Sequence, residues 1–307
     1  MTYFLAECLL SDADFEGCAE AASTLVSEPQ DISPQSRARV HVLMAKARQG
    51  SGSLESAALE ARAAIDLTND EADVEVNVLA RQALIATLAD SGKLSEAWAE
   101  CKGLAAVISD DVDEQLAGKA YWVIGNVAFL SDNPDEGLRY HELAATTFSP
   151  ARNLGVWAKF NKASAAMRLA ANVADADTLR CIERAELATD VIGGSANDYL
   201  LLRLNRAHWS YLAGDPHAAV ELLLDFSGLE EDVSPQRSGE ACLILGRALL
   251  ATGERTEARD YLRKAADHFD ASGAHHRAQQ TRDFLKAELG RASFWSWLVR
   301  VTGFDRS

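Results

Sequence analysis

Apolar and small residues recur at helical spacing along most of the chain, in segments separated by short breaks of Gly, Asp, Asn, Ser or Pro. No stretch sustains the two-residue alternation of a half-buried strand, so an all-α chain is expected. The six prolines agree with the breaks. Pro29, Pro34, Pro150 and Pro235 fall between expected helical hairpins, and Pro134 and Pro216 just after the turn within one, where a first helical turn tolerates proline.

Laying each hairpin over the next aligns Cys18, Ala57, Ala97, Gly137, Cys181, Ala219 and Ala258 at one place in the second helix, with successive spacings of 39, 40, 40, 44, 38 and 39 residues. Five residues earlier stand Ala13, Gly52, Gly92, Asp132, Ala176, Gly214 and Gly253, where the chain must turn and glycine is favoured for its left-handed backbone. Seven residues after the anchors come Leu25, Ala64, Leu104, Ala144, Ala188, Phe226 and Ala265. Twelve before them, the fifth unit apart, are Ala6, Ala45, Ile85, Gly125, Ala207 and Gly246. Antiparallel helices joined by a short turn come this close only where side chains are small. Each hairpin then leaves an apolar face for the next to cover. The fifth unit carries an insertion around Asn172 to Thr178.

The run Cys242-Leu-Ile-Leu-Gly246, followed by Leu249, Gly253, Ala258, Leu262 and Ala265, resembles the tetratricopeptide repeat (TPR). Ile124-Gly-Asn126 with Gly137 and Ala144, and Asn205-Arg-Ala207 with Gly214, Ala219 and Leu223, are similar. The likeness covers about residues 1 to 270, in units longer than the family's usual ~34 residues. It implies a right-handed α-solenoid of about seven TPR-like hairpins over residues 1–290, with Ala274 to Leu289 as a capping helix and 291–307 as an aromatic tail. Repeats near forty residues also look like sensor domains of bacterial regulators, including peptide-responsive receptors.

Charge narrows the partners. Thirty Lys and Arg against 46 Asp and Glu give a net charge of −16, which would repel a nucleic-acid backbone or an anionic lipid surface. No segment approaches the ~18 consecutive apolar residues of a membrane span. The N-terminus lacks a basic region, and Glu7 interrupts its apolar run, so it makes a poor signal peptide and a cytoplasmic protein is expected.

The five cysteines, an odd number with no Cys-x-x-Cys pair, fit neither a disulfide framework nor a zinc site. Cys18 and Cys181 occupy anchors, and Cys101 and Cys242 follow the same register, so they read as small core hydrophobes. Cys8 is the least constrained. Asp12-x-Asp14-x-Glu16-Gly17 imitates the start of a calcium loop but has Ser23 where the bidentate Glu is needed, so a turn explains it better. His275 and His276 diverge on a helix, and His141-Glu142 lacks the second His of a zinc-protease helix. The acidic runs Asp110 to Glu114 and Glu230 to Asp232 suit solvated helix starts. No phosphate loop, nucleophile elbow or Ser/His/Asp arrangement is recognisable, and no motif calls for a cofactor.

In TPR proteins the first helix of each hairpin lines a concave groove, so the resemblance directs attention to that face. Eleven residues before the anchors stand Glu7, Lys46, Ala86, Asn126, His208 and Arg247. Nearby turns offer Arg39, Gln82, Lys119, Trp122, Phe129, Asn161, Asn205 and Tyr211. Asn side chains can bond a peptide backbone, Lys and Arg can hold carboxylates, and aromatics supply apolar contact. The alternatives are solvated polar side chains and core Trp residues; for Trp98 the core reading is preferred, and for Trp122 the two are balanced. Gly125-Asn126 and Asn205-Arg206 match local patterns of the family's carboxylate-binding members, but a complete clamp is absent.

The expected function is therefore a non-catalytic scaffold that binds a protein or peptide, with no direct nucleic-acid or membrane contact. One rival is the ligand-sensing part of a transcription regulator separated from its helix-turn-helix domain, since residue 1 already lies beside the first repeat. The other is an all-α enzyme, which would need a converging polar pocket. The aromatic segment Ser293 to Phe304 reads as a cap, with pairing to a second copy or burial in a partner as the alternatives.

Overall fold

The computed structural model describes residues 2–27, 32–68, 74–109, 112–224 and 234–302, of which 289–302 are described by their helical course alone. All regular structure among them is helical. Seven hairpins follow one another: α1 (Thr2–Ser11) with α2 (Phe15–Ser27), α3 (Pro34–Gly50) with α4 (Leu54–Asp66), α5 (Val74–Asp90) with α6 (Leu94–Val107) and α7 (Glu114–Leu130) with α8 (Pro134–Thr147). Then come α9 (Leu154–Ala170) with α10 (Ala176–Ile192), α11 (Ala196–Leu212) with α12 (Pro216–Leu224) and α13 (Pro235–Thr252) with α14 (Arg255–Ala271), before a single α15 (His275–Thr302). None of the described helices is long and apolar enough to cross a membrane.

One backbone device makes every hairpin turn. The left-handed residue is Ala13, Gly52, Gly92, Asp132, Asn172, Gly214 or Gly253, with φ between 59° and 98°. The amide of the next residue then donates to the carbonyl five positions back: Asp14 to Leu9, Ser53 to Arg48, Lys93 to Leu88, Asn133 to Ala128, Val173 to Arg168, Asp215 to Ser210 and Glu254 to Leu249, all at 2.8–2.9 Å. These bonds satisfy a carbonyl that the helix end would leave orphaned, and they fix the direction of the returning chain. Ala13 is exposed and holds φ 60°, a region costly for any residue with a Cβ. Ala13→Gly should therefore stabilise the protein by about 1 kcal/mol, read as a higher urea midpoint with unchanged slope. A lower midpoint would contradict this account of the turn.

The same device corrects the register of the fifth hairpin. Its left-handed residue is Asn172, not Ala176, which instead begins α10. The buried second-helix position is Thr178, at 0% exposure, one helical turn before Cys181. Thr178 lies 41 residues after Gly137 and 41 before Ala219, so the irregular spacings of 44 and 38 disappear. A buried hydroxyl needs partners, and this one donates to the Val173 carbonyl at 3.1 Å and lies 2.9 Å from the Asp175 carboxylate. The other anchors are all buried: Cys18, Ala57, Ala97, Gly137, Ala219 and Ala258. Seven residues before each turn residue stands a buried small or apolar side: Ala6, Ala45, Ile85, Gly125, Ala165, Ala207 and Gly246. A Cβ on Gly246 would lie 2.8 Å from the Leu262 side chain and 3.2 Å from the Ala258 carbonyl oxygen, which shows how closely paired helices approach.

Two compact units divide the chain, residues 1–160 and 161–307. In the first, Leu84, Ile85, Leu88, Leu104 and Ile124 form the main core, continued by an aromatic group of Trp122, Phe148, Trp157 and Phe160. In the second, Leu204, Leu223, Leu245 and Leu249 form the main core, while Phe269 and Ala278 join α14 to α15. The closing helix does not stop at Leu289; α15 continues to Thr302, because nothing in that stretch beyond one interior glycine opposes a helix. The side chains of 293–304 lie outside the described residues, as do Pro29, Phe226 and the acidic run at 230–232.

The local readings of the turns and cysteines can be placed directly. Asp113 caps α7 by accepting from the amides of Gln115 and Leu116, as expected for an acidic helix start. Asp14 accepts from the Gly17 amide at 3.0 Å, so the calcium-like motif is a helix entry. Cys18, Cys101, Cys181 and Cys242 are buried, Cys8 is exposed, and all five are free thiols. Burial, reinforced by Glu100, pushes the Cys101 thiol up to about 12, as befits a packing residue.

Candidate functional site

Within the first unit, α1, α3, α5 and α7 pack side by side, while α2, α4 and α6 each pack against their own partner and the following first helix. The first helices thus form the tighter side of the stack. On it, Tyr3, Glu7, Arg39, Lys46 and Glu75 surround a cleft of about 300 Å³ whose floor includes Val42, Leu43, Val76 and Leu79. Burial lowers the Lys46 pKa, the nearby Lys119 lowers it further, and Glu7 opposes them. Lys46 on α3 thereby senses a lysine on α7 across α5, whose residue at the equivalent position is the small Ala86. Arg39 and Lys119 are exposed. Burial and the neighbouring Glu7 together raise the pKa of Tyr3.

Several of the other expected contact residues are structural. Gln82 donates to the Leu116 carbonyl at 3.3 Å and ties α5 to α7. Asn126 Oδ1 lies 3.1 Å from His141 Nε2, and His141 is 1% exposed. His141 packs where Gly125 has no side chain, with the Phe129 ring edge-on at 5.1 Å. Phe129 itself fills the space above Gly137. Trp122 meets Phe148 and Phe160 edge-on at 6.4 and 5.7 Å, which makes it a core aromatic. The cause is shared: the two glycines open a gap between α7 and α8, and the neighbouring rings and amide fill it.

In the second unit, Asn161 is fully buried and Asn205 nearly so, the latter donating to the Lys162 carbonyl at 3.0 Å between α9 and α11. Asn205 is therefore an interhelical residue and Asn161 a buried one, neither on the surface. The Lys162 ammonium pairs with Asp198 and, with Ser195 of the α11 capping box, holds that carboxyl down at about 2. Tyr211 packs half-buried beside the main core. His208 and Arg247 keep an unsettled character. Burial first, then the Arg247 and Arg277 guanidiniums, push the His208 imidazole down to about 4. Arg247 lies over the Phe284 ring at 5.1 Å, and its Nε is buried with no hydrogen-bond partner among the described residues. Arg277 pairs with Glu240 at 2.6 Å and lies over Phe269 at 4.3 Å.

Lys162 and Arg277 were not among the residues expected from sequence. Lys162 was hidden by the misplaced fifth register, since its helix could not be aligned with the others. Arg277 lies beyond the last repeat, where no periodic position marks it.

A wider pattern emerges when the helices are sorted by rank within their hairpins. The seven first helices together hold thirteen Lys or Arg and six Asp or Glu, whereas the seven second helices hold nine and nineteen. The acidic excess of the chain thus resides largely on the second helices. The first helices are thus net basic in composition, with several of their cations paired to carboxylates of other helices, as Arg48 is to Glu60, Arg81 to Glu100 and Arg206 to Glu186.

No family model matches the chain, and no curated protein does. Solved structures do resemble it. RapI in its apo form aligns with a TM-score of 0.64 at 11% identity, covering 92% of this chain and 97% of its own. Aspartyl phosphate phosphatase F from Bacillus subtilis aligns with a TM-score of 0.54 at 13% identity, covering 94% of this chain and 69% of its own. Likeness at such low identity concerns the fold, and what it supports is a helical-repeat architecture of the tetratricopeptide type, an all-α solenoid.

Proposed function

We propose that this chain is a non-catalytic scaffold in a regulatory role, binding a protein or peptide segment along the first-helix side of its hairpins. The observation that carries this reading is the distribution of charge: an acidic protein concentrates its basic residues on its first helices, and in the first unit these helices pack side by side with Arg39 and Lys119 exposed on them. Such a surface attracts an acidic segment while the second-helix side repels it, which favours one orientation of approach. The fold supports the reading, because stacked hairpins present an extended surface for a chain rather than a closed pocket.

The test is selection from a random displayed peptide library, followed by calorimetry of the enriched sequences. The enriched peptides should be acidic, and Lys46→Gln with Lys119→Gln should weaken them by about tenfold or more, since two charge-assisted contacts are lost. Added salt should weaken wild-type binding in the same direction. Because Lys119 is exposed and Lys46 is already disfavoured as a cation by burial, the double variant should melt no lower than the wild type. Enriched peptides that bind the double variant and the wild type equally would overturn the assignment.

A further inference from the structure

We infer that the cleft between α1, α3 and α5 seats one large apolar side chain of the bound segment, with acidic neighbours of that residue held by Arg39 and Lys46 at its rim. The inference rests on the binding reading above and names the sequence which that reading selects in the first unit.

The cleft is a defined cavity of about 300 Å³ whose walls come from three neighbouring first helices. α3 contributes a single stripe to it. Arg39, Val42, Leu43 and Lys46 follow one another at spacings of three, one and three residues, so they share one face of that helix. The two apolar members are buried, and Val76 with the half-buried Leu79 of α5 completes the floor. The cavity is smaller than one turn of a helix about 10 Å across, which suits it to one side chain and not to a docked helix. Arg39 and Lys46 bound the stripe, about 10 Å apart along the helix axis. An extended chain covers that distance in about three residues, which puts an acidic residue on each side of the apolar one.

Charge separates this rim from the rest of the unit. Arg48 and Arg81 pair with Glu60 and Glu100, whereas Arg39, Lys46 and Lys119 make no ion pair among the described residues. Arg39, Leu79 and Lys119 occupy equivalent positions of α3, α5 and α7, at intervals of 40 residues, so an exposed cation stands on either side of Leu79. Burial disfavours the Lys46 ammonium, Lys119 adds to that effect, and a seated carboxylate would relieve both. Glu7 and Glu75 also border the cleft and oppose an anion. The three cations outnumber these two carboxylates, but the margin is too small for charge alone to hold an acidic segment here. The apolar floor has to contribute, and burying a leucine side chain where alanine offers only a methyl strengthens binding about tenfold or more.

The experiment is an NMR titration of the full chain with N-acetylated, amidated pentapeptides, in which the Leu79 methyl signals are assigned by through-bond correlation. The probes are Glu-Glu-Leu-Glu-Glu, Glu-Glu-Ala-Glu-Glu and Gln-Gln-Leu-Gln-Gln. The first should bind about tenfold or more tightly than either of the others and move the Leu79 methyls saturably. Leu79→Ser should remove most of the preference for leucine over alanine. Arg39→Gln combined with Lys46→Gln should weaken the leucine–glutamate peptide about tenfold and leave the glutamine peptide unchanged. Glu75→Gln, at an exposed position, should tighten the glutamate peptides about two- to threefold.

Equal affinity for the leucine and alanine peptides overturns the cleft assignment, and so does leucine-peptide binding that leaves the Leu79 methyls unmoved. Gln-Gln-Leu-Gln-Gln binding as tightly as the glutamate peptide overturns the role of Arg39 and Lys46, as does weaker glutamate-peptide binding after Glu75→Gln. The peptides are compared on the unmodified chain, so a variant that fails to fold does not remove the test. Library-selected acidic peptides that depend on Lys46 and Lys119 but show no preference for an apolar residue would remove this inference and leave the broader binding reading standing.

Discussion

Replacing Ala258 by Trp should destabilise the protein by about 3 kcal/mol, at the upper end of the usual cost of overpacking. Ala258 is 0% exposed, and its carbonyl oxygen would stand only 3.2 Å from a Cβ on Gly246 of the paired helix. Leu262 and Leu249, both fully buried, close the space on either side. An indole there must push α14 away from α13, and the interior is too close-packed to yield elsewhere. Thr256→Trp, two residues away on the exposed side of α14, supplies the control and should stay within about 0.5 kcal/mol of the wild type. Urea unfolding measures both. Similar midpoints for the two variants would mean that the helices do not meet at Ala258.

How far this fold could be read in the sequence depended on which physical cause left a compositional trace. Close helix approach demands small residues, and a left-handed turn favours glycine, so the anchors of six of the seven hairpins could be aligned on Gly, Ala and Cys, with glycine at four of their six turns. In the fifth, neither trace survives. The turn uses Asn172, which adopts φ 59° without advertising itself, and Thr178 takes the buried anchor by satisfying its hydroxyl locally. Cys181, small and three residues on, imitated the anchor. The candidate site was less legible for a different reason. Asn126, Asn161 and Asn205 have the chemistry of peptide-binding residues, but Asn161 is buried and the amides of the other two bond polar groups of neighbouring helices, uses that sequence position does not separate. Charge was more informative. Lys46 and Arg247 were identified because their positions repeat, while the basic bias of the first helices became visible only once each helix had its boundaries.

His208 should make the protein lose about 2 kcal/mol of stability between pH 7 and pH 5, a loss that His208→Gln removes. The sign follows from proton binding. In the unfolded chain an exposed imidazole takes up its proton near pH 6.5, whereas in the folded protein burial and two guanidiniums delay this until about pH 4. Between those values the unfolded state binds the extra proton, so acid favours unfolding. The effect is absent above the unfolded pKa, grows as pH falls through the window, and stops growing below about 4. Carboxyls held low, such as Asp198 at about 2, lose their stabilising partners only below the ordinary carboxylate range and so do not contribute to the same interval. Denaturant unfolding of wild type and His208→Gln at both pH values isolates the difference from that of the other six histidines. Arg247→Gln should flatten the wild-type dependence partially, because burial remains the larger cause after one guanidinium is gone. If the His208→Gln protein loses as much stability as the wild type over this interval, the imidazole is not kept neutral by burial and the neighbouring guanidiniums.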